Sequence, residues 1–351
     1  MHEMVKEGFI FSSRWFIPII VLLLMSPLVT GIKTPYIAKT HEIRLSPHDP
    51  IYINSNNGFT QENGVISGDG SAANPYTIAN WSIRLTVKDL FDGKHGVFVG
   101  NTSKYFVIEN CYIHSLDGRL SSLICDKILG TYGSNGITLH NVSNGRIENC
   151  CIVGMYGSID IENGSCNNVV ANCSCVRNFC GIGINRFSHN NTVVNCTTRN
   201  YGCGICLWDN VYDNVVKDSE CKKVGINIYN SHHNKVEGCT IHGCFLYPAM
   251  KIFRGSYNNT ICGCTFCHNR FGLKVFDDSN SNLIYLNNFK RNIHQAYDEC
   301  SNRWDNGSIG NYWSDYKDMD NDGDGIYDHP YRVDGGNNKD MFPLVNPVAV
   351  N

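Results

Sequence analysis

The stretch GIGINRFSHNNTVVNCTTRN, residues 181–200, contains short apolar runs separated by an Asn-rich turn. Within each run, apolar and polar residues alternate with a period of two, which is typical of β-strands, and the runs are too short and too rich in Gly and Asn for helices. The same pattern recurs along the chain every 21 to 24 residues, after a first interval of 40 residues. The repeats begin at Gly96, Gly136, Ser158, Gly181, Gly204, Gly225, Ala249 and Gly272.

One such repeat cannot bury its apolar side chains alone, but repeats stacked at the ~4.8 Å spacing of paired strands form a continuous core. The pattern therefore predicts an all-β protein, a parallel β-helix of about eight or more coils. Sixteen positions are predicted to face inward, and all are apolar: Val97/Val99, Ile137/Leu139, Ile159/Ile161, Ile182/Ile184, Ile205/Leu207, Ile226/Ile228, Met250/Ile252 and Leu273/Val275. One turn column, where left-handed backbone is tolerated and stacked amides can hydrogen-bond along the axis, is predicted at Asn168, Asn191, Asn214, Asn234, Asn259 and Asn282.

These repeats resemble those of right-handed parallel β-helix proteins with NosD-type repeats, which are similar in fold to pectin lyases. The segments SGDGSAANPYTIANWSI (residues 67–83) and GNYWSDY (residues 310–316) also resemble secreted, mainly archaeal and bacterial, members. The resemblance implies a right-handed helix but no single activity, because such proteins include polysaccharide enzymes and a copper-related periplasmic protein.

Composition and the first residues indicate where the protein works. A net charge of -3 provides no basic field for nucleic acid, so nucleic acid is not an expected partner. The apolar run Trp15–Val29, preceded by Lys6 and Arg14, is typical of a secretory signal and short of the ~20 residues of a membrane span. We therefore expect a secreted, extracellular or cell-envelope protein that touches a membrane only if residues 1–31 stay uncleaved as an anchor.

The remaining chain is predicted to divide into three parts. Residues 32–95 form an N-terminal cap and first coils, residues 96–302 the repeats, and residues 303–351 a C-terminal cap, because an uncovered final coil is an open sheet edge. About seventeen extra residues, centred on Leu116 to Asn135, are expected to leave the helix as a loop.

An acidic DxDxDGxxD run in the C-terminal cap predicts a calcium site. Calcium prefers six to eight oxygen ligands, and carboxylates at alternate positions of a Gly-containing loop can surround one ion. The predicted ligands are Asp320, Asp322, Asp324, the carbonyl of Ile326 and Asp328. The expected role of Ca²⁺ is structural, and the alternative is a solvated acidic turn.

Four places after each repeat start, an outward column carries four consecutive aromatic residues, and the neighbouring column carries two lysines. Sugar rings can stack on aromatic side chains and acidic sugars can pair with lysine, so the columns predict a polysaccharide groove. The alternative is that a loop or the cap buries the rings. The predicted substrate-binding residues are His140, Trp208, Tyr229, Phe253, Phe276, Lys251 and Lys274.

Asp160 and Glu162 lie on the same face of one predicted strand, about 6.6 Å apart by the rise per residue. Two carboxyl groups at roughly 5 to 9.5 Å can hydrolyse a glycosidic bond, so this pair is the candidate catalytic pair of a polysaccharide hydrolase or lyase. The alternative is an ordinary solvated strand face.

The 18 cysteines allow several interpretations. In an oxidising compartment, Cys180 and Cys203 occupy comparable places in successive repeats and are disulfide candidates. The ladder Cys111, Cys150, Cys173, Cys196, Cys239 and Cys264 can equally consist of small buried fillers. The Cys203-Gly-Ile-Cys206 segment could ligate copper or zinc through thiolates.

Together these features predict a protein that binds extracellular polysaccharide and leave open whether it also cleaves it. One alternative is a structural or adhesive envelope protein without catalysis. A second alternative is a NosD-like copper-handling protein.

Overall fold

The computed structural model describes residues 45–115 and 133–349. Residues Arg44–Asn351 belong to one compact unit. The predicted signal or anchor segment and most of the loop predicted at Leu116 to Asn135 lie outside the described residues. Among the described residues, no helix is both long and apolar enough to cross a membrane.

Alternating apolar residues and turn residues build short strands, numbered β1 to β33 in chain order. The first sheet contains β2 (Ile51–Ile53), β6 (Val97–Thr102), β9 (Asn135–Val142), β12 (Gly157–Glu162), β15 (Cys180–Asn185), β18 (Cys203–Trp208), β21 (Ile226–Tyr229), β24 (Met250–Phe253), β27 (Phe271–Val275) and β30 (His294–Asp298). The second contains β3 (Val65–Ser67), β4 (Tyr76–Ala79), β7 (Phe106–Glu109), β10 (Gly145–Glu148), β13 (Val169–Ala171), β16 (Thr192–Val194), β19 (Val215–Lys217), β22 (Lys235–Glu237), β25 (Thr260–Cys262) and β28 (Leu283–Tyr285).

The third sheet and the remaining elements complete the described fold. The third sheet contains β1 (Ser46–His48), β5 (Trp81–Arg84), β8 (Tyr112–His114), β11 (Cys151–Val153), β14 (Ser174–Val176), β17 (Thr197–Arg199), β20 (Glu220–Lys222), β23 (Thr240–His242), β26 (Thr265–Cys267), β29 (Asn288–Lys290) and β31 (Tyr312–Trp313). A separate hairpin joins β32 (Tyr331–Arg332) and β33 (Lys339–Asp340), and the helices are a 3-10 turn (Asn56–Gly58) and α1 (Val87–Phe91).

The chain passes from the first to the second to the third sheet in each coil. Eight complete coils run from β6 to β29; coil 1 is β6–β8 and coil 8 is β27–β29. All pairing within these coils is parallel and in register, for example Val97 with Ile137 and Val99 with Leu139. The sixteen predicted inward residues are buried, so the predicted parallel β-helix and its core are confirmed.

The asparagine column forms a continuous hydrogen-bonded ladder, as predicted. The side-chain amide of Asn191 donates to Oδ1 of Asn214 at 3.1 Å, and that of Asn214 to Oδ1 of Asn234 at 3.0 Å. The prediction of left-handed backbone in this column was wrong by one position. The positive φ angles belong to the preceding residues, Asn167, Asn190, Asp213, His233, Asn258 and Ser281. These residues turn the chain, so that the next side chain can point inward and stack.

All seventeen cysteines of the described residues are free thiols. The predicted Cys180–Cys203 disulfide is therefore corrected, although the two residues are direct register partners on β15 and β18. In-register parallel strands hold neighbouring side chains side by side at ~4.8 Å, whereas a disulfide needs Cβ atoms that converge to about 3.8 Å.

Elements outside the eight coils add side chains to the core. Between β5 and β6, α1 begins with a capping box, in which Thr86 and Asp89 bond reciprocally, and its Leu90 is fully buried. After coil 8, Trp304 and Trp313 are buried beside Phe289. The outer face of the first sheet lies along the side of this core.

Candidate functional site

The outer face of the first sheet brings the predicted groove residues into two neighbouring columns, with His140 and the rings in one and Lys251 and Lys274 in the other. His140 pairs with Glu162, and Trp208, Tyr229 and Phe253 pair across successive strands. Phe276 follows β27 directly and stacks on Phe253. Alternation along each strand points these side chains away from the core, as expected.

The aromatic rings of this column stack on one another. Trp208 and Tyr229 are parallel, with ring centroids 3.9 Å apart, and Phe253 and Phe276 are parallel at 5.3 Å. Tyr229 meets Phe253 edge-on. The expectation that sugars stack on these ring faces is therefore corrected: the spacing between coils is close to the stacking distance of rings, so most faces cover each other. Phe253 is buried, and the other three rings are half-buried.

Polar donors accompany the ring edges. Lys251 and Lys274 are register partners in coils 7 and 8, and their Nζ atoms lie 5.0 Å from the ring centroids of Phe253 and Phe276. Within the described residues, neither ammonium has a carboxylate partner within salt-bridge distance. Burial lowers the pKa of Lys251, and the neighbouring charge of Lys274 acts in the same direction. These lysines are thus uncompensated positive charges on a partly desolvated surface.

Towards the N-terminal end, the acidic pair lies in coil 3. The Asp160 carboxylate accepts hydrogen bonds from the side-chain amides of Asn135, at 3.4 Å, and Asn185. Burial, followed by the negative charge of Glu162, raises the pKa of Asp160 to about 7. Asp160 can therefore carry a proton near neutral pH, which is the requirement for a general acid.

Glu162 has a different environment from Asp160. His140 Nδ1 lies 2.9 Å from its Oε1, and the guanidinium of Arg186 donates to its Oε2 at 3.0 Å. The two predicted catalytic residues therefore lie in neighbouring positions, and both already have protein partners.

A hydrogen-bonded chain links Asp160 to coil 1. The amide of Asn135 that reaches Asp160 also contacts Thr138 Oγ1, at 3.2 Å, and this hydroxyl lies 3.1 Å from His95 Nδ1. The backbone N–H of Asn135 donates to the same nitrogen of His95 at 3.1 Å. His95 precedes the first repeat and belongs to no column, so the repeat pattern did not predict it.

The acidic loop assembles three of the predicted calcium ligands. One oxygen from each lies within 4.8 Å of the others, in Asp320, Asp322 and Asp324. Oδ1 of Asp320 is buried without a hydrogen-bond partner, which suits a cation ligand. Asp328 lies apart from this group, because its carboxylate accepts from the side chain and backbone of Asn321. The backbone N–H of Ile326 donates to Asp324 Oδ1 at 2.8 Å.

Comparison with known proteins gives one family and several distant structural likenesses. A family model described as periplasmic copper-binding protein (NosD) matches residues 120–318, more than half of the chain. No curated protein sequence matches significantly. A mutant of the periplasmic alginate epimerase AlgG is 14% identical with a TM-score of 0.43, over 65% of this chain and 63% of that chain.

Two further solved structures have similar coils. ORF18 of Geobacillus virus E2 is 14% identical with a TM-score of 0.48, over 80% of this chain and 63% of that chain. A pectate lyase, Pel9A, is 14% identical with a TM-score of 0.26, over 84% of this chain and 88% of that chain. At this identity, the likeness concerns the β-helix architecture alone.

Proposed function

The chain belongs to the NosD family, and we propose that it binds an anionic polysaccharide outside the cytoplasm, along the outer face of its first sheet. The family's periplasmic description supports this location. The observation that carries the proposal is a row of unused donors on four consecutive coils. Within the described residues, no protein acceptor is bonded by the indole N–H of Trp208, the hydroxyl of Tyr229, or the ammonium groups of Lys251 and Lys274.

The spacing and the charge of this row indicate a polymer. Coils repeat at ~4.8 Å, so a chain that lies along the helix axis meets a new donor at each coil. Polymer hydroxyls can accept from Trp208 and Tyr229, and carboxylates can pair with the adjacent lysines, whose mutual repulsion an anion relieves. An uncharged polymer would leave the two ammonium groups uncompensated. The row therefore favours uronate polymers over neutral glucans.

The lysine pair supplies the direct test. We expect Lys251→Ala/Lys274→Ala to weaken binding of polygalacturonate or alginate at least tenfold, because hydrogen bonds to charged groups contribute about 1.5–3 kcal/mol each. The double variant Lys88→Ala/Lys222→Ala changes the net charge equally at exposed positions elsewhere and should bind normally. Wild-type binding should weaken with added salt. Equal binding by both double variants, or a preference for neutral dextran, contradicts the proposal and favours a structural envelope protein.

Cleavage of the bound polymer is a second candidate function, favoured by the raised pKa of Asp160 and by the second carboxyl group, that of Glu162, on the same face of the strand. Their separation of about 6.6 Å along the strand lies in the range for glycoside hydrolysis. We expect release of new reducing ends by the wild type, and its loss without loss of binding in Asp160→Asn and in Glu162→Gln. Release that persists in both variants excludes this pair.

The described thiols do not fit a copper site of three or more ligands. Among the described residues, the only group of three or more metal-ligating side chains within mutual reach is the aspartate group. That oxygen set suits a hard cation and not copper(I).

We propose that Asp320, Asp322 and Asp324 bind Ca²⁺ and that the ion stabilises the C-terminal cap. The closely placed carboxylates and the unpartnered Oδ1 of Asp320 support this assignment. Calcium that binds only the folded state should raise Tm. We expect EGTA to lower the wild-type Tm and to leave that of Asp320→Asn/Asp322→Asn unchanged. Asp334→Asn, at an exposed position outside the group, should keep the calcium effect.

A further inference from the structure

A cavity of about 270 Å³ lies at the N-terminal end of the first sheet's outer face. Its lining includes the rings of Tyr52, His95 and Phe98 and the turn of residues 92–94 that follows α1. This end of the outer face therefore contains a partly enclosed pocket. Aromatic walls with a few polar groups are the usual lining of small-ligand sites.

Tyr52 ends the stack of rings in this pocket. It is parallel to Phe98, with ring centroids 4.9 Å apart, and it is 61% exposed. Strand β2, which carries Tyr52, is the terminal strand of the first sheet among the described residues. The second face of Tyr52 has no ring partner within these residues and can receive the apolar face of a sugar.

His95 supplies a polar contact of defined direction. Because the backbone N–H of Asn135 donates to its Nδ1, that nitrogen carries no proton, and the proton of the neutral ring is on Nε2. Burial lowers the pKa of His95 to about 4, which keeps the ring neutral at physiological pH. Within the described residues, Nε2 has no hydrogen-bond partner. The pocket thus contains a fixed donor for a hydroxyl or ring oxygen.

We infer that this pocket binds the terminal sugar ring of the polysaccharide, with the ring on Tyr52 and an oxygen atom on His95 Nε2. The turn of residues 92–94 forms a wall, so the polymer ends here instead of passing through. A hydrogen-bonded chain from His95 through Thr138 and Asn135 links this pocket to Asp160, which lies three strands from Tyr52 along the sheet. This inference rests on the proposed function. It means that the protein recognises the ends of polysaccharide chains.

Varying the length of the polysaccharide tests this inference separately from the proposed function. The probes are equal masses of long and partly hydrolysed polygalacturonate and alginate, which differ in the number of chain ends. We expect wild-type binding per mass to rise with the number of ends. Tyr52→Ala should abolish this rise, whereas Tyr52→Phe, which keeps the ring, and Tyr105→Ala, at another exposed tyrosine, should retain it.

The outcomes are distinct. Wild-type binding that is independent of chain ends, yet sensitive to Lys251→Ala/Lys274→Ala, overturns end recognition and leaves the proposed function intact. An unchanged end dependence in Tyr52→Ala also overturns the assignment of the pocket. Absence of binding to either polymer by folded wild-type protein overturns both.

Discussion

At the scale of the residue, the ionisation of Asp160 in the candidate site makes the stability of the fold depend on pH. Its pKa is near 7 in the folded protein and near 3.8 when unfolded, so the native state holds an extra proton between these values. The contribution of this group is complete below pH 4 and is lost as the pH rises through 7. We expect the free energy of unfolding of the wild type to fall from pH 5 to pH 8 relative to Asp160→Asn. Urea unfolding at both pH values measures this difference; parallel changes in the two proteins would show that Asp160 ionises normally. Asp334→Asn is the exposed control.

At the scale of the element, the asparagine ladder holds successive turns together. Oδ1 of Asn214 accepts from the backbone and side chain of Asn191, and its amide donates to Asn234 and to two carbonyl groups. We expect Asn214→Ala to destabilise the fold by about 3 kcal/mol or more, because several buried polar groups lose their partners. A lower urea midpoint measures this loss. Asn337→Ala, at an exposed residue, should leave the midpoint unchanged; equal midpoints for both variants would mean that water replaces the amide.

The cysteine column is an element of the same kind, built from thiols that bond to backbone carbonyls. Sγ of Cys173 lies 3.3 Å from the carbonyl oxygen of Ala171, and Ser219 in the equivalent position bonds likewise. Burial raises the pKa of Cys175, on the following strand, to about 12. We expect native protein at pH 8 to resist alkylation at its buried cysteines, and protein denatured without reductant to be alkylated at all seventeen described ones. A peptide linked through Cys180 and Cys203, absent from a reduced sample, would contradict this.

The same elements show which features could be predicted from the sequence alone. The 21-to-24-residue period specifies register, so the inward pairs, the amide ladder and the outward column were all predictable. Period and register say nothing about side-chain torsions, and this is why the mutual stacking of Trp208 and Tyr229 and the partners of Glu162 could not be predicted. Tyr52 and His95 lie before the first repeat, so no repeat column predicted them, and only the folded structure shows the hydrogen bonds that link His95 to Asp160.

At the scale of the whole molecule, the ends of the β-helix decide whether it aggregates, because an uncovered last coil can pair with other chains. Asp340 is fully buried there and accepts from the indole of Trp313 at 2.8 Å and the backbone of Asn311 at 2.7 Å. Trp313 stacks on Phe289 of coil 8 on one side and on Tyr331 of the hairpin on the other. One carboxylate therefore joins the hairpin to the last coil.

We expect Asp340→Ala to release this cap, because it leaves the buried N–H groups of Trp313 and Asn311 unpaired at a cost of about 1–3 kcal/mol each. The exposed strands β29 and β31 should then pair between molecules. Light scattering and size-exclusion chromatography should show aggregation at temperatures where the wild type and Asp334→Ala remain monodisperse. A monodisperse Asp340→Ala protein with unchanged Tm would show that apolar packing alone closes this end.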